Sequence, residues 1–395
     1  MTQSILNNLQ SHRLDEIKPS GIRKMFARAQ GLEGVISLGI GLPDLMPPEG
    51  LLEALVNASK IDKSHFYTLN SGTIELRNKI ADRYSTEHDV DYDAESVVVG
   101  AGGTEMLFAG IYAYTNPGDE ILVPDPGFVY YPTIPAMAGC VVKPFNLDDD
   151  FQIPVDNLAE MVTSKTKAII LNSPNNPCGS VLNEKSLKAV ADLAIDHNFL
   201  IFSDEVYEYI TFDGLKHVPI ASLAPENTIT LNSFSKTYCV TGWRLGFSIA
   251  NKELIQPMAK MHAYVVANAP SLFQFAVSDF MGTEGDKAFR SYLRETMQNR
   301  RDTLFREFSK IPGLSIPKVT GSFYAFPKIE HEKYSSSHNS GMDFAEDVFT
   351  NAKVVLVPGS EFGQSRNDHV RISFGSANEQ NITESAQRIR NFLEV

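Results

Sequence analysis

Residues 233–247 read SFSKTYCVTGWRLGF, a stretch of small, hydroxylated and apolar residues interrupted by one lysine, Lys236, and by one arginine, Arg244, eight positions later. That composition belongs to a buried loop, and a cation taken out of water needs a compensating partner or a chemical use. A lysine in a low-dielectric setting has a depressed pKa, which makes its amine a nucleophile able to form an imine with an aldehyde. Ser233, Ser235 and Arg244 add hydroxyl groups and a planar guanidinium fork, donors that suit a cluster of phosphate oxygens.

Around this stretch, from about residue 97 to 250, short β-rich runs (VVVG, EILVP, VVKPF, KAIIL, FLIFSD, TITLN and LGFSIA) alternate with helical patterns. The alternation predicts an α/β domain whose largely parallel sheet is covered by helices on both faces. One crossover, NEKSLKAVADLAIDHN, sets Leu187, Val190, Ala191 and Ala194 on one helical face, with Asn183 as N-cap and Glu184 in the first turn. The final third changes character. A long charged helix pattern, AFRSYLRETMQNRRDTLFREFSKI, precedes GSFYAFPKI, KVVLVPG, VRISFG and a terminal helix, NEQNITESAQRIRNFLEV, the pattern of a smaller α+β domain. The polar stretch at residues 332–341, EKYSSSHNSG, reads as a surface loop within it.

With 395 residues and 43% hydrophobic composition, the chain can fill sizeable cores in two or three domains. A net charge of -13 opposes non-specific attachment to nucleic acid or anionic membrane, which leaves small molecules as the expected partners. Cys140, Cys178 and Cys239 are odd in number and lack CxxC or HxxxH companions, so neither a disulfide framework nor a zinc site is expected and a reducing compartment is. No run approaches the roughly 18 apolar residues of a membrane helix, and the first residues do not resemble a signal peptide, so the expected location is cytoplasmic.

Ligands of open α/β sheets gather at the carboxyl ends of the strands. Those ends carry GAGGTE, PDPGF, NSPNNPCG, SDEVY and NSFSKT. Gly103 and Thr104 open a helix, where backbone N–H groups either receive a phosphate or merely form a tight turn. Phe128 follows two prolines and a glycine, placed either to stack on a flat ring or to pack in the core. Asn176 either donates to a ring oxygen or satisfies its own turn. Asp204 ends an apolar strand, where a carboxylate is costly unless paired; a cationic ring nitrogen is one partner, and a helix N-cap is the alternative. Tyr207, three residues on, offers a phenol to the same ligand.

Pyridoxal 5'-phosphate (PLP) has an aldehyde, a phenolic oxygen, a pyridine nitrogen and a phosphate, and so uses all of these groups. The stretch around Lys236 resembles the lysine signature of the class I and II PLP-dependent aminotransferases. VISLGIGLPD, HFYTLNSGTIELRNKIADRY, GAGGTE, SPNNPCG, SDEVY, VPGSEFG and VRISFG resemble further motifs of that family in the same order, over roughly residues 20–390. The resemblance implies fold type I: a large domain with a mostly parallel seven-stranded sheet (residues 46–280), a small domain (281–395), and an N-terminal segment (1–45) packing with the latter. It also implies a homodimer with active sites at the interface. Lys236 would hold PLP as the internal aldimine and shuttle a proton, and Asp204 would keep the pyridine nitrogen protonated. Tyr207 and Asn176 would contact the ring oxygen, with Phe128 on the ring face. Gly103, Thr104, Ser233, Arg244 and Tyr67 from a second subunit would hold the phosphate. Arg371, helped by the backbone at Gly41, would clamp the substrate carboxylate.

The implied reaction is ping-pong transfer of the amino group of an L-amino acid to 2-oxoglutarate. The pattern, including PSGIRKMF and SLGIGLPD near the start, most resembles the aspartate and aromatic subgroup, although bacterial aspartate-specific relatives commonly carry a lysine in the loop matched by Gly103-Thr104, a charge that Thr104 does not supply. Two other functions use the same scaffold: a β-eliminating lyase or related synthase, and a non-catalytic regulatory protein.

Overall fold

The computed structural model describes residues 9–15, 17, 31–88, 90–330, 332 and 340–393. The stretch PSGIRKMF and most of the polar stretch at 332–341 lie outside the described residues.

Seven strands form the central sheet: β1 (Val97–Gly100), β2 (Glu120–Asp125), β3 (Val141–Asn146), β4 (Thr166–Asn172), β5 (Leu200–Asp204), β6 (Thr228–Ser233) and β7 (Gly246–Ile249). Their spatial order is β1-β7-β6-β5-β4-β2-β3, and only β7 runs antiparallel to its neighbours. This is the mostly parallel, doubly covered α/β sheet expected from the alternating runs. Because successive side chains of a strand point to opposite faces, the apolar strands feed two cores at once. Ile121, Val123, Ala168, Ile170 and Phe202 pack under helices α3 (Gly103–Tyr114) and α7 (Lys252–Val266), as defined below, while Leu122, Ile169, Leu171 and Ile201 pack on the other side.

The helices that matter to the site are, in chain order, α1 (Glu49–Ala58), α2 (Ile74–His88), α3, α4 (Tyr130–Met137), α5 (Glu184–His197), the single turn α6 (Phe234–Thr237), α7, α8 (Glu284–Phe308) and α9 (Glu379–Leu393). Helix α5 forms where the periodicity places it. Asn183 Oδ1 accepts from the Ser186 N–H, Leu187, Val190, Ala191 and Ala194 are buried, and left-handed Asn198 ends the helix. Helix α8 starts four residues before the hydrophobic pattern does, because Thr283 caps it by accepting from the Asp286 N–H.

In the C-terminal third, β8 (Tyr324–Ala325), β9 (Val357–Pro358) and β10 (Val370–Ser373) form an antiparallel sheet in the order β8-β10-β9. Leu293, Met297, Leu304 and Phe308 of α8 and Ile382, Ala386 and Ile389 of α9 share one core with Val370 and Ile372. Ile36–Ser37 pairs in parallel with Val354–Val355, which ties the chain before α1 to this region and brings Gly39 and Gly41 toward the main sheet. No helix among the described residues is long and apolar enough to cross a membrane.

Candidate active site

The strand register lays the functional residues side by side. Asn172, the last residue of β4, pairs with Asp204, the last of β5, and the neighbouring β6 ends at Ser233. The strand ends open into a cavity of about 300 Å3. Its wall includes Gly41, Gly103, Thr104, Phe128, Asn176, Asp204, Tyr207, Ser233, Lys236, Arg244 and Arg371. With Ser235 also on this wall, twelve of the thirteen site residues singled out from sequence are therefore brought together. Tyr67 is not among them: it is 87% exposed on the outside of the chain.

Lys236 sits on α6, a turn initiated by Ser233, whose Oγ accepts from the Ser235 N–H. Its Nζ donates to the Gly41 carbonyl at 2.8 Å. Burial, reinforced by Arg371 and Arg244, depresses the amine to about 8, against the partial restoring effect of Asp204. The neutral fraction that attacks an aldehyde therefore appears near physiological pH. The rate at which this amine condenses with an added aldehyde should rise about tenfold per pH unit below that value and level off above it. Stopped-flow absorbance across pH 6–10 checks this, and a rise that continues to pH 10 would show an unperturbed amine.

Asp204 responds in the opposite sense. Burial lifts its carboxyl to about 6, although Tyr131 Oη donates to it at 2.8 Å and the Val206 N–H at 3.3 Å. No helix follows Asp204, so the N-cap alternative is excluded. A raised acid pKa means that the folded apoprotein binds more protons than the unfolded chain. The contribution to stability is full below the ordinary value of 3.8 and is lost as pH rises through about 6. At neutral pH the ionised carboxylate then costs on the order of 3 kcal/mol. Asp204→Asn should stabilise the protein by roughly that amount at pH 7–8, with no gain near pH 4. Urea unfolding of both apoproteins measures the difference, and equal stabilities at both pH values would contradict it.

At the start of α3, Gly102 has φ +90, and a Cβ there would lie 2.7 Å from Arg244 Nη2, so only glycine lets the guanidinium lie against the loop. Arg244 itself is left-handed (φ 51) and donates to the Thr241 carbonyl at 3.0 Å. Glu105 holds the loop from within: its carboxylate accepts from the Ala101 N–H and lies 3.1 Å from His262 Nδ1. Backbone N–H groups at the start of a 12-residue helix, an arginine fork and the hydroxyls of Ser233 and Ser235 converge on one end of the cavity.

At the other end stands Arg371 of β10, 3% exposed. It donates to Asn176 Oδ1 at 3.0 Å and to the Gly39 carbonyl at 2.6 Å, and Nε has no partner among the described residues. The Tyr324 and Phe362 rings each lie 4.7 Å from its guanidinium carbon, and burial lowers its pKa. Asn176 thus faces the cavity rather than its own turn. The Tyr207 hydroxyl lies 3.0 Å from that of Tyr324, and burial raises the pKa of both phenols.

Sequence reasoning missed Asn172, Tyr130, Tyr131 and Thr241 as cavity residues. Asn172 was legible as the last residue of a strand. Tyr131 was the residue one turn beyond Phe128, but its bond to Asp204 joins positions 73 apart in the chain, which no local pattern shows.

The family model "Aminotransferase class I and II" matches residues 33–389. The chain is 38% identical over 389 residues to an aromatic-amino-acid aminotransferase of Thermococcus litoralis, covering 97% of this chain and 98% of the relative. It is 37% identical to an aspartate aminotransferase of Pyrococcus horikoshii, covering 96% and 95%. The structure of Thermus thermophilus aspartate aminotransferase with maleate superposes with a TM-score of 0.90 at 31% identity, covering 97% of this chain and 99% of that one. A match along almost the whole chain, with the amine and the acid on one cavity wall, places this protein in the class I and II aminotransferases, PLP-dependent enzymes of fold type I.

Proposed function

We propose that the protein transfers the amino group of an L-amino acid of the aromatic or aspartate type to 2-oxoglutarate, with Lys236 as the covalent anchor of PLP and as the proton carrier. The observation that carries this reading is the shared cavity wall of Lys236, Asp204 and Arg371. The donor set fits the cofactor: an amine of depressed pKa for the aldehyde, a carboxylate for the pyridine nitrogen, and the start of α3 with Arg244 for the phosphate. When bound, PLP supplies an electron sink for the carbon that loses its proton.

The remaining work falls to the chain. Asp204 would hold the ring nitrogen protonated, Phe128 would cover the ring, and Tyr207 and Asn176 would donate to the ring oxygen. Gly103, Thr104, Ser233 and Arg244 hold the phosphate. Arg371, with the backbone at Gly41, receives the substrate carboxylate and thereby fixes Cα near Lys236. The Lys236 amine would be the base that takes the proton from the substrate Cα and the acid that delivers it to C4', the carbon on the far side of the amino nitrogen. Donor and acceptor occupy the same site in turn, which gives ping-pong kinetics.

Side-chain choice follows from charge. Among the described residues, the cavity wall has only three cationic side chains, Lys236, Arg244 and Arg371, and each already has a task. Thr104 adds no charge for a second carboxylate, whereas Leu107, Tyr130, Tyr131 and Tyr324 offer apolar or amphipathic surface. This weighs toward aromatic donors.

The chain acts as a homodimer in the cytoplasm. Tyr67 and Tyr264 are each 87% exposed, and the segments bearing them are joined by Asn70 Nδ2 donating to the Ala267 carbonyl and Ser271 Oγ to that of Phe66. Such an apolar surface suits a second copy, across which Tyr67 reaches the partner's phosphate. Cysteines without disulfides fit a reducing compartment.

The test is a spectral half-reaction with phenylalanine, tyrosine, aspartate and alanine, followed by addition of 2-oxoglutarate. Glutamate formation with an aromatic donor supports the reading. Release of ammonia or pyruvate without an acceptor would assign elimination instead.

A further inference from the structure

Behind the exit of β5 lies a set of charged groups that the chemistry above leaves unused. Within residues 203–208, Asp204 and Tyr207 line the cavity, whereas Glu205 is fully buried and Glu208 is 5% exposed, and neither lines it. The Glu205 carboxylate accepts from Ser203 Oγ at 2.7 Å and lies 2.8 Å from His217 Nε2. Glu208 pairs with Arg83 Nη1 of α2 at 3.0 Å and accepts from Asn232 Nδ2 of β6 at 2.8 Å. The backbone is fixed as well: the Glu205 N–H donates to the Leu231 carbonyl at 2.9 Å, and the Glu208 N–H to that of Glu205 at 3.0 Å.

Buried ion pairs are poor devices for stability, because apolar residues of the same volume serve as well or better. This array is also incompletely bonded. Arg83 Nε and Nη2, His88 Nε2 and His217 Nδ1 are buried with no hydrogen-bond partner among the described residues. Two buried carboxylates, one next to Asp204 and one next to Tyr207, therefore call for a role other than holding the fold.

We propose that Glu205, gripped by Ser203 and His217, is a positioning residue for the cofactor: it fixes the exit of β5 and sets a negative charge behind Asp204, so that the proton shared by Asp204 and the pyridine nitrogen is retained. This rests on the assignment of Asp204 to that nitrogen. A like charge one residue away raises the proton affinity of a carboxylate, and Glu205 acts on Asp204 in that direction, after burial and against the bonds from Tyr131 and Val206. On His217 burial acts to lower the pKa and Glu205 acts to raise it, with a net upward shift. Glu208 is fixed in turn, since burial would raise its pKa but Arg83, with His88 and His217, holds it down to about 2.

The experiment is 15N NMR of the ring nitrogen in holoenzyme reconstituted with 15N-labelled PLP, together with the dissociation constant of PLP. Wild type should show a protonated nitrogen and Asp204→Asn an unprotonated one. Glu205→Gln, which keeps the shape and removes the charge, should move the resonance part of the way and raise the dissociation constant about tenfold, the equivalent of one pKa unit. Glu205→Asp, which keeps the charge but shortens the reach to Ser203 and His217, should shift the resonance by less than Glu205→Gln does. A Glu205→Gln enzyme with the wild-type resonance and affinity overturns the proposal, as does a Glu205→Asp shift as large as that of Glu205→Gln. An unprotonated nitrogen in wild type would instead reject the Asp204 assignment itself. If Glu205→Gln does not accumulate folded, Ser203→Ala removes one of the two groups gripping Glu205 and should shift the resonance in the same sense by less; no shift would count against the proposal.

Discussion

Replacing Lys236 by alanine should abolish the visible absorbance of the holoenzyme and lower turnover on the order of 10^5-fold or more, the scale seen when a covalent anchor that is also the proton carrier is lost. The effect should be this large because, among the described residues, no second lysine lines the cavity to take its place. The fold should tolerate the change. Lys236 makes one hydrogen bond, to the Gly41 carbonyl, and its ammonium is disfavoured by burial and by Arg371 and Arg244. The apoprotein of the variant should therefore melt no lower than that of the wild type. A small primary amine added to the assay should restore part of the proton transfer, since the missing group is a base of that kind. Full activity in the variant would remove Lys236 from the mechanism.

Replacing Arg371 by alanine should lower kcat/KM about 10^2- to 10^4-fold, the span for losing a buried charge-assisted pair. The loss should be similar for acidic, aromatic and aliphatic donors, because the α-carboxylate is common to all of them. Arg371 is unusually well prepared for this task. Two aromatic rings flank it, Asn176 and Gly39 hold Nη1 and Nη2, and Nε remains without a partner. Arg371→Lys should recover only a small part of the loss, because an ammonium lacks the planar fork. Steady-state kinetics across the three donor classes checks this, and a defect confined to one class would reassign Arg371 to side-chain recognition.

Local periodicity made most of the architecture legible. The seven apolar runs are the seven strands, and helix α5 forms on the predicted face because its cap, apolar stripe and left-handed stop all agree. The site was legible for a related reason. A carboxylate at the end of an apolar strand and a lysine in a hydroxylated loop are costly unless used, so Asp204 and Lys236 stand out in the sequence itself. What stayed hidden depends on contacts distant in sequence. Tyr131 reaches Asp204 from another strand exit, and Arg83 of α2 meets Glu208 across 125 positions of chain, with nothing in either local pattern to announce it. The start of α8 was misplaced because its capping threonine precedes the apolar repeat. Tyr67 is exposed on this chain, and the role proposed for it requires a second copy, which no pattern within one chain displays.

The most direct measurement is reduction of the purified holoenzyme with borohydride, followed by peptide mapping by mass spectrometry. One pyridoxyl phosphate group per chain is expected, on the peptide that carries Lys236. A label on any other lysine, or a cofactor that washes away after reduction, would contradict it.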